Sequence, residues 1–306
     1  MRWRMSQLCQ ACGRAALRPY LPVGHGPGPE GLIPTTDRFG SALADIVRCH
    51  ACGHGQLEHL PTKDELSAAY GVAASEAYVE EEAGQRETAR RTLERIERCV
   101  QGRSLLDLGC WVGFLLAEAR DRGWQGRGVE PSAFASAYAR DRLGLDVLTA
   151  NLDVELPLGT FDAIVLGDVI EHLPHPAEAL DRIARLLAPD GVVCLILPDA
   201  GSRLARVMGA RWWSVIPTHV QYFTRHSLET LLRRGGFQPR YMATSPKAFT
   251  VRYYLDRVGG YSPVVSRALV RAGEGTRLAD RMWAPDFRDR MLMIAGGPCR
   301  QRQAFP

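Results

Sequence analysis

Leu105-Leu106-Asp107-Leu108-Gly109-Cys110-Trp111-Val112-Gly113-Phe114, with Gly128-Val129-Glu130 downstream, is the stretch that decides the fold. The apolar run over 104–108 predicts a buried strand, and 114–122 predicts a helix. The turn between them carries glycines at 109 and 113, which admit positive φ and let a ligand approach the backbone. Glu130 closes the next apolar run, where a carboxylate can accept hydrogen bonds from both hydroxyls of a ribose. This is the pattern of a nucleoside-binding βαβ unit. It lacks the G-x-G-x-x-G that brings a pyrophosphate to a helix N-terminus, and it adds the carboxylate of Asp107. A ligand with no phosphate but with an ammonium and a sulfonium suits such a turn.

Outward from this unit, strands and helices alternate, which predicts a mostly parallel sheet covered on both faces. The spacing places strands at 104–108, 126–130, 145–149, 161–167, 191–197, 238–244 and 289–295. Helices are expected at 114–122, 132–142, 176–187 and 227–235. Gly123, Gly144, Gly191 and the pair Gly235-Gly236 stand where helices should stop and strands begin. Two insertions interrupt the alternation: 198–226, which carries Trp212, Trp213 and His219, and 245–287. Before residue 101 the chain changes character. Residues 1–60 contain two C-x-x-C pairs joined by a Pro/Gly-rich connection, and 61–100 predict a helical linker or lid in which Ala89, Leu93, Ile96 and Val100 recur at helical spacing. Lys63-Asp64-Glu65-Leu66 is expected to open a first helix there.

With 306 residues the chain has room for one large α/β domain, here 101–306, and an appendage. A hydrophobic content of 46% and a net charge of +4 fit a soluble protein and give no strong sign of a nucleic-acid partner. No apolar run approaches the ~18 residues of a membrane span, and the N-terminus lacks the apolar core of a signal peptide. Four of the eight cysteines form the two pairs and the others stand singly, which favours a metal site in a reducing cytoplasm over a disulfide framework.

Several blocks occur in an order that resembles the class I S-adenosylmethionine (SAM) methyltransferases. They are Leu105–Gly113, Gly128-Val129-Glu130-Pro131-Ser132, the run from Phe161 through Asp168-Val169-Ile170-Glu171-His172-Leu173, Leu186-Leu187-Ala188-Pro189-Asp190-Gly191, and Trp212-Trp213 with His219-Val220-Gln221-Tyr222-Phe223. The resemblance covers nearly the whole chain except 245–287. It extends to ubiquinone-type O-methyltransferases and, through the cysteine pairs, to bacterial sugar and natural-product methyltransferases. It implies a Rossmann-like seven-stranded sheet with a small N-terminal zinc-ribbon-like module. It also implies that Asp107 and Gly109 hold the methionine end of SAM, that Gly113 lets the helix pack close, and that Glu130 takes the ribose. Cys110 and Gly167 fall in the same crevice, with Cys110 also readable as a small buried residue. Asn151 and Leu152 follow the third strand, where the adenine is expected, and Asp153 competes for that place.

Cys9-x-x-Cys12 and Cys49-x-x-Cys52 can supply four thiolates to a tetrahedral Zn²⁺, with Gly13 and Gly53 completing the two knuckles. Such a closed site is structural, since it leaves no position for substrate. On the acceptor side, His172 at the end of the fourth strand can act as a general base oriented by Glu171, with His219 binding or polarising the acceptor. The D-x-x-E-H spacing also resembles the E-x-x-E-H metal motif of some quinone and RNA-end methyltransferases. On that reading Asp168, Glu171, His172 and His219 hold a second divalent metal. The expectation is methyl transfer to a small-molecule acceptor, a sugar, glycan precursor or natural-product intermediate, at oxygen or carbon. The alternatives are an RNA methyltransferase that uses the zinc module on its substrate, a quinone-type O-methyltransferase, and a non-catalytic binding protein with the same fold.

Overall fold

The computed structural model describes residues 7–25, 39–62, 65, 79–151, 159–273 and 278–298. In chain order its main elements are β1 (Leu17–Leu21), β2 (Ile46–Cys49), β3 (Gly55–Leu57), α1 (Glu82–Ile96), β4 (Ser104–Leu108), α2 (Phe114–Asp121), β5 (Gln125–Glu130), α3 (Ala133–Leu143), β6 (Val147–Thr149) and β7 (Phe161–Gly167). They continue with α4 (Pro176–Leu186), β8 (Leu187–Pro198), α5 (Arg203–Met208), β9 (Gln221–Tyr222), α6 (Arg225–Arg234), β10 (Gln238–Thr244), α7 (Val251–Arg257), α8 (Pro263–Gly273) and β11 (Arg290–Gly296).

Seven strands form one sheet in the order β10-β11-β8-β7-β4-β5-β6. The pairs from β8 to β6 are parallel, and β11 runs antiparallel to both of its neighbours. The chain winds first toward β6 and then back across β4 to β7, so the order reverses between β4 and β7. In open sheets of this kind the ligand crevice lies outside the strand ends at that switch point.

Alternation along the strands divides the core. Leu106, Ile164, Leu166, Val193, Leu195 and Met293 pack on one face against Leu180, Ile183, Leu228 and Leu231 of α4 and α6. Leu105, Ala163, Val165, Val192, Cys194 and Leu292 pack on the other against Leu93, Ile96 and Leu116 of α1 and α2. α1 is polar elsewhere and laced with pairs such as Arg86–Glu82 and Arg91–Glu87, the four-residue spacing of neighbours on a helix surface.

The structure differs from the sequence expectation at two strand starts. β8 begins at Leu187, because Leu187 pairs with Phe161 and the chain then loops out before Val192 meets Ala163. Gly191 therefore lies inside the strand, after Asp190 at φ +64°. β6 begins at Val147, because Gly144 in the left-handed region and the Leu145 amide bonded to the Ala139 carbonyl still belong to the end of α3. Lys63, Asp64 and Leu66, assigned to a first helix, lie outside the described residues, as do Leu152 and Asp153.

The cysteine-bearing segment builds a second sheet, β1-β2-β3-β9, and its last strand comes from the 198–226 insertion. The edge of this sheet is thus supplied by a segment more than 150 positions downstream of β3. The 245–287 insertion carries α7 and α8 and a short antiparallel pair, Phe249–Thr250 with Met282–Trp283. Among the described residues no helix is long and apolar enough to cross a membrane.

Candidate functional site

At the end of β4 the backbone turns through Gly109 at φ +75°, Trp111 at φ +48° and Gly113 at φ +84° before α2 begins. The crowding explains the glycines. A Cβ on Gly109 would lie 2.6 Å from Val169 Cγ2, and one on Gly113 would lie 2.6 Å from Leu145 Cδ1. A Cβ on Gly128, in the neighbouring strand, would lie 2.6 Å from the Cys110 sulfur. Cys110 is therefore packed into the core with its thiol against β5. At Gly167 an added Cβ would meet nothing within 4 Å, so the space at the end of β7 is open.

Two carboxylates close on this turn. Asp107 and Glu130 are both 4% exposed, and no cation among the described residues pairs with either. Glu130 accepts hydrogen bonds from the Trp111 amide and the Ser132 amide, each at 2.8 Å, so it fixes the turn as well as facing it. Burial raises its pKa, and burial together with the nearby Glu130 pushes that of Asp107 up to about 7. Asn151 follows β6 and is half-buried.

Across the switch point, β7 ends at Gly167 and Asp168 takes φ +56°, a left-handed conformation rare for a residue with a side chain. A short 3₁₀ turn, Ile170–His172, then brings Glu171 and His172 inward. His219 joins them from the insertion. The His172 and His219 rings lie 4.6 Å apart edge to face, and His219 Nε2 is 4.0 Å from Glu171 Oε1. One ligand atom from each of the three residues falls within 4.8 Å of the others. His172 Nδ1 donates to the Thr218 carbonyl at 2.9 Å, and His219 Nδ1 donates to the Ser214 carbonyl at 2.8 Å. A carbonyl only accepts, so each ring carries its proton on Nδ1 and its lone pair on Nε2. Both carboxylate oxygens of Glu171 are buried with no hydrogen-bond partner in the described structure. Burial and the neighbouring Asp168 push Glu171 up to about 8, and burial pushes His172 down to about 4.

Asp168 does not join the cluster. Its carboxylate accepts from Arg290 Nη2 at 2.6 Å and from Lys247 Nζ at 2.7 Å, and these two cations hold its pKa well below the ordinary carboxylate range. The alternative reading of the sequence made it a fourth metal ligand; its partners here are instead these two cations. It is an anchor that ties the 245–287 insertion and the start of β11 to the end of β7. Neither Lys247 nor Arg290 stands in a motif, and only the tertiary structure reveals them.

The four N-terminal cysteines do come together. Cys9 Sγ lies 3.6 Å from Cys52 Sγ, Cys12 Sγ lies 3.6 Å from Cys49 Sγ, and all four sulfurs fall within 4.8 Å of one another without a disulfide. A tetrahedron of Zn–S bonds of about 2.3 Å has edges of about 3.8 Å, so the donor set fits that ion. The two knuckles repeat the same backbone bonds, Gly13 N to Cys9 O and Gly53 N to Cys49 O, both at 2.8 Å with the glycine at φ +73°.

A family model described as a methyltransferase domain matches residues 81–241, more than half of the chain. The ubiquinone biosynthesis O-methyltransferase of Rhodopseudomonas palustris is 32% identical over 164 residues, 49% of this chain and 65% of that protein. The C-methyltransferase NovU of Streptomyces niveus is 26% identical over 245 residues, 75% of this chain and 56% of that protein. The chain thus spans less than two thirds of the length of either relative. Among solved structures, a SAM-dependent methyltransferase from Clostridium acetobutylicum is similar with a TM-score of 0.47 and 11% identity, over 70% of this chain and 92% of that one.

Proposed function

The chain belongs to the methyltransferase domain family, and from that premise we propose that it transfers a methyl group from SAM to a small-molecule acceptor. The observation that carries the cofactor reading is the pair of buried carboxylates, Asp107 and Glu130, on one glycine turn with no cation among the described residues to offset them. SAM brings an ammonium for Asp107 and Gly109 and ribose hydroxyls for the remaining lone pairs of Glu130. Asn151 takes the adenine side, and the open space at Gly167 receives the reacting end. Calorimetric titration tests this. SAM binding with NAD inert is expected, and tighter binding of NAD or no heat with SAM would overturn it.

The acceptor is a sugar, glycan precursor or natural-product intermediate. The two relatives, one named as an O-methyltransferase of ubiquinone biosynthesis and one as a C-methyltransferase, support a small biosynthetic molecule over an RNA. As the methyl leaves the sulfonium, the acceptor oxygen or carbon must lose a proton. His172 Nε2 is placed to take it, because the Thr218 carbonyl holds the ring with its lone pair on that nitrogen. Glu171, expected to orient His172, has no hydrogen bond to it, and the carbonyl does that work instead.

A specific observation favours a second reading. The unpartnered oxygens of Glu171, with two imidazoles whose Nδ1 protons go to backbone carbonyls, suit a divalent metal held by Glu171, His172 and His219. Such an ion would lower the pKa of an acceptor hydroxyl. Cys9, Cys12, Cys49 and Cys52 hold one structural Zn²⁺ on either reading. Elemental analysis separates them: two metal equivalents per chain support the metal reading, and one equivalent with undiminished turnover supports the base.

A further inference from the structure

We infer that the four-cysteine module is a brace for the acceptor-side cluster, with Gln221 and His54 as its positioning residues. The inference rests on the functional reading above for what the cluster does, but not for how it is held. β9 is two residues long, too short to keep a fixed place without a sheet to join. That sheet is the module's: Gln221 pairs with Gln56 and Tyr222 with Gly55. Val220 then uses both of its backbone groups as a bridge. Its carbonyl accepts from the Leu57 amide of β3 at 3.1 Å, and its amide donates to the Glu171 carbonyl at 3.0 Å. His219 is the next residue back along the chain.

Side chains repeat the link. Gln221, 1% exposed, accepts from His54 Nε2 at 2.8 Å and donates through its own amide nitrogen to the carbonyls of Leu173 at 3.2 Å and Pro174 at 3.1 Å. Those carbonyls directly follow Glu171-His172. His54 is fully buried, its ring lies 4.5 Å from that of Phe223, and its carbonyl accepts from the Cys49 amide of the second knuckle. Gln56, also buried, accepts from the Gln10 amide of the first knuckle at 2.9 Å. One hydrogen-bonded path therefore runs from both cysteine knuckles to the two segments that carry Glu171, His172 and His219. A buried amide that satisfies three partners fixes their relative positions, because any displacement leaves a polar group unpaired in a dry interior.

Gln221→Met keeps the length and volume of the side chain and removes all three bonds. The readout is the side-chain ¹⁵N spectrum of histidine-labelled full-length protein, together with amide hydrogen exchange over 171–174 and 218–221. Wild type should show His172 and His219 each in a single Nδ1–H tautomer. Gln221→Met should mix the tautomers and speed exchange in both segments by about tenfold or more, the signature of a local opening. Its zinc content and SAM affinity should stay within about twofold of wild type. Unchanged histidine signals and unchanged amide protection would overturn the brace. Should Gln221→Met fail to fold, His54→Phe and His54→Gln carry the test: Phe should mix the tautomers, and Gln, which restores an N–H donor, should return them to one state. Identical spectra for those two variants would also overturn it. The histidine signals are read without SAM or acceptor, so a wild type that binds no SAM would sink the functional reading and leave this result standing.

Discussion

Asp107 and Glu130 are brought together by neighbouring parallel strands, with Asp107 opposite Gly128 in the β4–β5 register. Glu171, His172 and His219 meet only because a 3₁₀ turn and a distant insertion are closed on each other, with the cysteine module's sheet along their edge. The first site is made by one contiguous βαβ unit, and its geometry follows from local backbone rules. The second is made by tertiary closure. The difference implies that damage to the two sites should separate cleanly: cofactor affinity should follow the strand ends, and chemistry should follow the closure.

The widest separation is expected for His172→Ala. It should cut turnover roughly 10²–10⁴-fold, the usual contribution of a positioned acid–base group, while calorimetry finds SAM affinity nearly unchanged. A parallel loss of SAM affinity would show that the two halves are one unit and break the comparison. Glu130→Ala is the converse. On the proposed reading it removes the acceptor for two ribose hydroxyls, and it also strips the Trp111 and Ser132 amides of their partner. Charge-assisted bonds are worth roughly 1.5–3 kcal/mol each, so SAM binding should weaken by at least about a hundredfold. The histidine signals of the acceptor side should not move.

The same contrast sets what was legible in the sequence. Glycines that must take positive φ, apolar runs and an acid at a strand end are local signals, and they give the seven strands of the sheet, two of them with displaced starts, and single out the 107–130 turn as the candidate crevice. The bulged start of β8 was missed because Leu187 pairs with Phe161 across a loop-out whose geometry depends on the partner strand. The cysteine pairs and the E-H dipeptide were visible as residue types, and His219 as a histidine in an aromatic insertion. What holds them was not visible. Thr218 and Ser214 act through backbone carbonyls, Gln221 through an ordinary amide, and Lys247 and Arg290 are unremarkable basic residues until folding sets them on Asp168. Asp168 shows the same limit. Its spacing suits a ligand, and its partners make it an anchor.

A pH titration sharpens the account of the crevice. With Asp107 pushed up to about 7, the ligand-free protein holds a proton there that the unfolded chain releases near its ordinary value of 3.8. Stability from this group is therefore full below that value and is lost as pH rises toward about 7. Asp107→Asn should remove that slope and raise the melting temperature of the ligand-free protein at pH 7.5. A cationic ligand selects the ionised carboxylate, so SAM affinity should fall about tenfold for each pH unit below about 7 and level off above it. A flat profile for the wild type would mean that Asp107 does not face the ammonium.

The smallest effect, and the finest probe of how closely the crevice is packed, comes from two glycines with nearly the same backbone. Gly113 and Gly123 have φ of +84° and +80°, so alanine at either meets the same left-handed penalty, about 1–2 kcal/mol. They differ in their surroundings. A Cβ at Gly123 meets nothing within 4 Å, whereas one at Gly113 would be 2.6 Å from Leu145 Cδ1 and 3.2 Å from Ala139 Cβ. Gly113→Ala must therefore push α3 and the 144–146 turn away from the crevice, adding about 1–3 kcal/mol of overpacking. Chemical denaturation should show Gly113→Ala less stable than Gly123→Ala by that margin, and only the former should weaken SAM binding. Equal losses in the two variants would mean that the turn is strained by its backbone alone and that close helix packing plays no part in shaping the cofactor site.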